Sequence, residues 1–275
     1  MAKLAFRQVD VFTRVPFLGN PVAVVLGAEG LDAEAMQRIA AWTNLSETTF
    51  VLKGGAADYR LRIFTPRMEL PFAGHPTIGS AHAALEAGFF PAKERFTQEC
   101  GAGIVHLARR DGKIFVKAPP AKLVPVEPPK GITLKPGSPF LAVDVGPRWA
   151  TGEVADANAL AAVAPDMTAL AEWSNALKLT GITLFAKSDD CVAAVHVRSF
   201  APAQGIPEDP VCGSGNISVG AFLRETGGLE RFGRAYVARQ GAQLGRDGRV
   251  FMTVEKEEIW LGGEAVTCVA GELAP

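Results

Sequence analysis

The chain has 275 residues, 48% hydrophobic and 21% charged, with a formal net charge of −1. That length and apolar content suit one large domain or two small ones, and the near-neutral charge speaks against a nucleic-acid or membrane-surface partner. Four cysteines (Cys100, Cys191, Cys212, Cys268) lie far apart without metal-ligand spacing, so they read as free thiols of a reducing compartment, with no metal expected.

Leu4 to Phe12 reads as a strand at once, and no later run is long and apolar enough to span a bilayer, so a cytoplasmic location is expected. Asn20-Pro21 turns the chain into a buried strand, Val22–Leu26. Asp32 caps a helix with Ala35, Met36, Ile39, Ala40 and Trp42 on its apolar side. Strands follow at Thr49–Leu52 and Tyr59–Phe64, the latter stopped by Pro66. A small-residue helix opens near Pro76, and Asp111-Gly112 marks a hairpin. Seven of the nineteen prolines fall between 119 and 139, which reads as a linker.

After it the plan restarts. Phe140–Val145 matches Phe6–Val11 at an offset of 134 (140 minus 6), and Leu179, Thr180 and Thr183 meet Leu45, Ser46 and Thr49. At an offset of 139 (210 minus 71), Pro210, Gly213 and Ile217 meet Pro71, Gly74 and Ile78. Ala73 then faces Cys212, and His75 faces Ser214. Each half carries a helix with an uncharged run, Gly79–Leu85 or Ile217–Leu223, and the helices are expected at 77–87 and 215–225. A helix apolar on all sides needs cover all round, which its strands give only as a curved sheet. Two such lobes are expected, with the helix starts facing a cleft that takes a small molecule. The lobes are set at 1–128 and 129–262, with 263–275 as a strand that returns to the first.

The chemistry-bearing residues cluster at these helix starts. Gly213-Ser214-Gly215 presents backbone N–H groups where the helix dipole favours an anion, with Asp209 beside it. Asp209 is either a catalytic or positioning acid or a turn aspartate held by backbone amides. Glu47, whose counterpart is Gly181, breaks the repeat and is a candidate general acid/base; a solvated loop glutamate is the competing reading. Ser46 flanks Glu47 and can orient it. His75 is either a ligand donor or a turn histidine. Cys212, at a helix start, is expected to have a lowered pKa and to be the most reactive thiol.

Four stretches in order are familiar together: Val9–Thr13 with Pro16–Pro21, Asn44–Thr48, Phe64–Pro66 with Glu69–Thr77, and Glu208–Asn216. They resemble the PhzF-like family of phenazine biosynthesis over nearly the whole chain. The resemblance implies an α+β diaminopimelate-epimerase-like fold of two pseudo-symmetric lobes, each a curved, mostly antiparallel sheet around a central helix. It implies a homodimeric isomerase without organic cofactor, acting on a small carboxylate-bearing molecule. Glu47 matches the family's proton shuttle, and His75 and Asp209 its substrate-holding pair. Gly213 and Ser214 match the turn near the substrate carboxylate, and Ser46, Gly74 and Cys212 are expected to line the same site. At Cys212 and Gly215 the sequence departs from the phenazine enzyme, and Cys212 resembles the second thiol of the epimerases. Two alternatives stand beside this: an amino-acid epimerase using Cys212 and Glu47, and a non-catalytic binding module on the same fold.

Overall fold

The structure, a computed structural model, describes residues 3–275, and the chain divides into two compact units. One holds the residues up to Lys117 together with Gly262–Pro275, and the other is Ala118–Leu261.

The first unit runs β1 (Leu4–Val11), β2 (Asn20–Leu26), α1 (Ala33–Thr43), β3 (Thr48–Lys53), β4 (Tyr59–Phe64), β5 (Glu69–Leu70), α2 (Gly74–Glu86), β6 (Arg95–Cys100), β7 (Gly103–Arg110) and β8 (Lys113–Lys117). The sheet is antiparallel except where β2 meets β3 and β4 meets β6. The Asp32 carboxylate caps α1 by accepting from Ala35 N at 2.8 Å, and Asn44 closes it in the left-handed region at φ 54°. Met36 and Ala40 of α1 pack on Val25, Phe50 and Phe64. Asp111 (φ 49°) and Gly112 (φ 74°) are both left-handed, as the tight hairpin between β7 and β8 demands.

Helix α2 packs against β1, β2, β3, β4 and β8, so the sheet curls round it. Every residue from Gly74 to Ala84 except His82 is buried. It starts earlier than the sequence reading placed it, because Pro76 falls in the first turn, where a missing N–H leaves no bond unmade. Its buried hydroxyls are satisfied: Ser80 donates to Thr49 Oγ1 at 2.8 Å, and Thr77 accepts from Gln98 Nε2 at 3.2 Å. Fully buried Ile78 contributes about 1.5–3 kcal/mol by leaving water.

The second unit repeats the plan: β9 (Lys122–Pro125), β10 (Phe140–Asp144), β11 (Arg148–Glu153), α3 (Ala157–Ala161), α4 (Met167–Ala176), β12 (Gly181–Lys187), β13 (Val195–Ala201), β14 (Ile206–Asp209), α5 (Gly213–Glu225), α6 (Leu229–Phe232), β15 (Ala235–Gln240) and β16 (Gly248–Val254), with β17 (Ile259–Gly263) after it. The parallel pairs are again β11–β12 and β13–β15. Helix α5 is buried from Gly215 to Leu223 and packs on β10, β11, β12 and β16. β9 flanks β10 here, whereas the strand flanking β1 in the first unit is β18 (Ala265–Leu273), from the end of the chain.

The proline-rich stretch 119–139 is not a free linker. It carries β9, and its Val126, Ile132 and Leu134 pack against the second unit's core at Phe140, Ala150 and Leu184. The prolines punctuate an irregular run laid on that unit, where few backbone N–H groups are needed. Among the described residues no helix is long and apolar enough to cross a membrane.

Candidate active site

Glu47 sits in the short turn between α1 and β3, and the turn is stapled on both sides. Thr43 Oγ1 lies 2.6 Å from Thr48 Oγ1, and Glu47 O accepts from Ala23 N at 3.4 Å. The turn carries the Glu47 side chain to the start of α2, where its Oε2 stands 3.5 Å from His75 Nε2. Only 14% of the Glu47 side chain and 6% of the His75 side chain is exposed. Burial pushes the Glu47 carboxyl from 4.5 up to about 7, against a smaller pull from its hydrogen bond with Ser46. A charged carboxylate loses its hydration there, and one hydroxyl does not replace it. The competing picture of a solvated loop glutamate does not hold.

Helix α2 begins without a side-chain cap, because Ala73 has only a methyl group to offer. Ser46, Glu47, Gly74 and His75 thus gather at one helix start. At the equivalent of Glu47, the second unit has Gly181, where a Cβ would run into the Phe200 carbonyl oxygen. Close backbone approach excludes any side chain there, so the plan holds one such glutamate.

The second unit gathers Asp209, Cys212, Gly213 and Ser214 at the start of α5. Asp209 ends β14; its Oδ1 accepts from Val211 N at 3.0 Å, and its carbonyl accepts from Gln240 Nε2 at 3.0 Å. The turn-aspartate reading thus has its backbone amide, on a residue that stands just before the helix start. Gly215 is required because a Cβ there would press on Ser199 Oγ at 2.5 Å and Thr183 Oγ1 at 2.9 Å. Ser214 Oγ accepts from Trp149 Nε1 at 2.9 Å. The sequence reading missed Trp149, which carries no local signal because its partner lies 65 residues on.

Cys212 departs from expectation. It is 3% exposed, and its sulfur caps α5 by accepting from Gly215 N at 3.2 Å. Burial, helped by the nearby Asp209 charge, pushes its thiol well above the usual range. The helix start favours the thiolate but does not offset that desolvation. Cys191, not Cys212, is the exposed thiol.

Among the described residues no cluster of three His, Cys, Asp or Glu could hold a metal ion. Two surface cavities of about 440 and 320 Å³ in the first unit are lined by residues such as Lys93, Arg109 and Glu86, and Glu47 and His75 line neither.

A family model described as phenazine biosynthesis-like protein matches residues 9–271. The chain belongs to this PhzF-like family. It is 37% identical to antisense-enhancing sequence 1 of Schizosaccharomyces pombe, covering 99% of each chain. It is 34% identical to trans-2,3-dihydro-3-hydroxyanthranilate isomerase of Pseudomonas aeruginosa, covering 95% of this chain and 92% of that one. The crystal structure of a Bacillus anthracis phenazine biosynthesis protein of the PhzF family superposes with a TM-score of 0.88 at 26% identity, each chain covered completely. A hydroxyproline epimerase from Agrobacterium vitis matches with a TM-score of 0.68 at 16% identity over 99% of this chain and 92% of that one. At that identity the likeness is one of fold, and it bears out the α+β epimerase-like architecture. The family is one of isomerases, with small molecules as its substrates.

Proposed function

We propose that the protein is a cofactor-independent isomerase that moves a proton between two carbons of a small carboxylate-bearing metabolite, with Glu47 as the general acid/base. One observation carries this reading: a buried carboxyl whose pKa is pushed up to about 7, beside a histidine at a helix start. A base that takes a proton from carbon and then returns it works best with a pKa near the working pH. The ionised Glu47 accepts a proton from one carbon, the electron pair left behind moves the double bond, and the acid form delivers the proton to a second carbon. Nothing is oxidised or reduced.

In this reading His75 and Asp209 hold the substrate, and Gly74 and Ser46 frame it beside Glu47. Gly213 and Ser214 meet its carboxylate at the start of α5, where the helix dipole favours an anion. Cys212 stays protonated and takes no part, which disfavours the thiol-based epimerase. The relative from Pseudomonas aeruginosa supplies the compound to try, trans-2,3-dihydro-3-hydroxyanthranilate. The purified protein is expected to turn it over, and Glu47→Gln to lower turnover about 100-fold or more. Binding of the aromatic analogue 3-hydroxyanthranilate should be nearly unchanged by the substitution. Turnover by the Gln variant at the wild-type rate would rule Glu47 out as the shuttle.

A further inference from the structure

Strand β14 is held to β13 by very little backbone. The recorded pairs are Ser199 with Asp209 and Ala201 with Ile206, and the register shifts between them at a bulge. Side chains alternate across a sheet, so a slip of one residue would turn Asp209 to the other face. Something besides the ladder must fix this register.

Gln240 Nε2 holds the Asp209 carbonyl, and the pair one residue earlier on each side holds the strand before it. Arg198 Nε and Nη2 donate to Glu208 Oε1 and Oε2, both at 2.9 Å, in a bidentate fork. Its Nη1 donates to the carbonyls of Leu160 at 2.9 Å, Ala161 at 3.1 Å and Val163 at 2.7 Å, at the end of α3 and just beyond. The guanidinium also covers the Phe200 ring, 4.8 Å from its centroid. Arg198 is only 5% exposed. With every nitrogen engaged, the arginine is anchored to α3 and cannot follow Glu208 if β14 shifts. The fork therefore pins Glu208, and the next residue is Asp209.

The internal repeat contains a weaker copy. Arg62 grips Glu69, the counterpart of Glu208 (208 minus 69 is 139), through two bonds of 2.7 Å, and lies over Phe64 at 5.1 Å. Its side chain is 21% exposed, and no carbonyl anchors it among the described residues. A fork thus stands before each central helix, but the buried and anchored one stands before the acid.

We propose that Arg198, acting through Glu208, is a positioning residue that sets Asp209 against the substrate. This rests on the reading of Asp209 as a substrate-holding acid. Lysine at 198 keeps the charge but loses the planar fork. Arg198→Lys is expected to lower kcat/KM roughly 10- to 100-fold, mostly through KM, since a small misplacement of a substrate contact is costly.

The decisive comparison uses Arg198→Lys, Asp209→Asn and the double variant, with trans-2,3-dihydro-3-hydroxyanthranilate as substrate and 3-hydroxyanthranilate as binding probe. If Arg198 acts through Asp209, the double variant is no worse than Asp209→Asn alone. An equal further loss in both backgrounds, or no loss from Arg198→Lys, overturns the proposal while leaving Asp209 as a substrate contact. No loss from Asp209→Asn overturns the reading of Asp209 itself, and this proposal with it. Should Arg198→Lys not fold, Glu208→Gln in the same cycle gives the same decision, with circular dichroism confirming the fold.

Discussion

His75 Nε2 lies 3.5 Å from Glu47 Oε2, and both atoms are closed off from solvent. This arrangement links protonation to stability. In the unfolded chain the Glu47 carboxyl ionises near 4.5, and in the folded chain near 7. A raised folded pKa means that the folded state holds the proton more tightly. Its contribution is complete below 4.5 and is lost as pH rises to about 7. The shift corresponds to roughly 3 kcal/mol. Glu47→Gln has no such proton to lose. Urea unfolding at pH 4.5, 6 and 7.5 should show the variant gaining on the wild type by about that amount. Parallel pH curves for the two proteins would contradict the buried, raised carboxyl.

Ser46 offers a finer test of the same group. Its hydrogen bond to Glu47 favours the charged form and holds the carboxyl below where burial alone would put it. Ser46→Ala removes that pull, so the pKa rises further. If ionised Glu47 is the base, the acidic limb of the kcat profile moves to higher pH. An unmoved limb would mean that another group sets it.

Much of this was legible because it is local or repeated. Asp32 as a cap, Asp111-Gly112 as a primed turn, and the two uncharged helix runs are signals of a few residues each. The offset of Glu47 against Gly181 singled out a glutamate with no copy, and Phe200 pressing on Gly181 gives the steric reason. What the sequence hid depends on contacts between distant residues. Arg198 reaches carbonyls more than thirty residues away, and its strand pattern looks the same with or without them. Cys212 was misjudged because a helix start argues for a thiolate, whereas burial depends on packing that no local pattern records. The proline run misled because prolines mark irregular backbone without saying whether it packs.

Trp149 and Ser214 yield a test of the second cluster. A hydroxyl has one hydrogen to give and two lone pairs to fill. With Trp149 Nε1 donating to Ser214 Oγ at 2.9 Å, the serine hydrogen is left for Cys212 Sγ, 3.6 Å away, or for the carboxylate of the proposed substrate. Trp149→Phe keeps a buried ring but removes the donor, and should weaken carboxylate binding by about 1 kcal/mol, roughly fivefold. Calorimetry with 3-hydroxyanthranilate and with its neutral amide separates the effects. The acid should bind less tightly to the variant, and the amide should be affected little. Equal losses for both would assign Trp149 to packing alone.

Cys212 is the residue on which two mechanisms differ. An epimerase using thiol chemistry needs a thiolate within reach of a carbon acid. In the structure Cys212 is 3% exposed and its sulfur caps α5, with the thiol pKa raised by burial and by Asp209. Alkylation of the native protein should therefore reach exposed Cys191 first and leave Cys212 untouched until unfolding. Serine offers an oxygen to the same amide, so Cys212→Ser should keep the cap and retain most of the turnover. Cys212→Ala loses the cap and should cost about 1 kcal/mol of stability, again with turnover largely kept. Rapid labelling of Cys212 in the folded protein would remove the physical basis for leaving it out of the chemistry. Loss of turnover in Cys212→Ser with 3-hydroxyanthranilate binding intact would go further and assign proton transfer to the thiol, with Glu47 on the opposite face of the carbon.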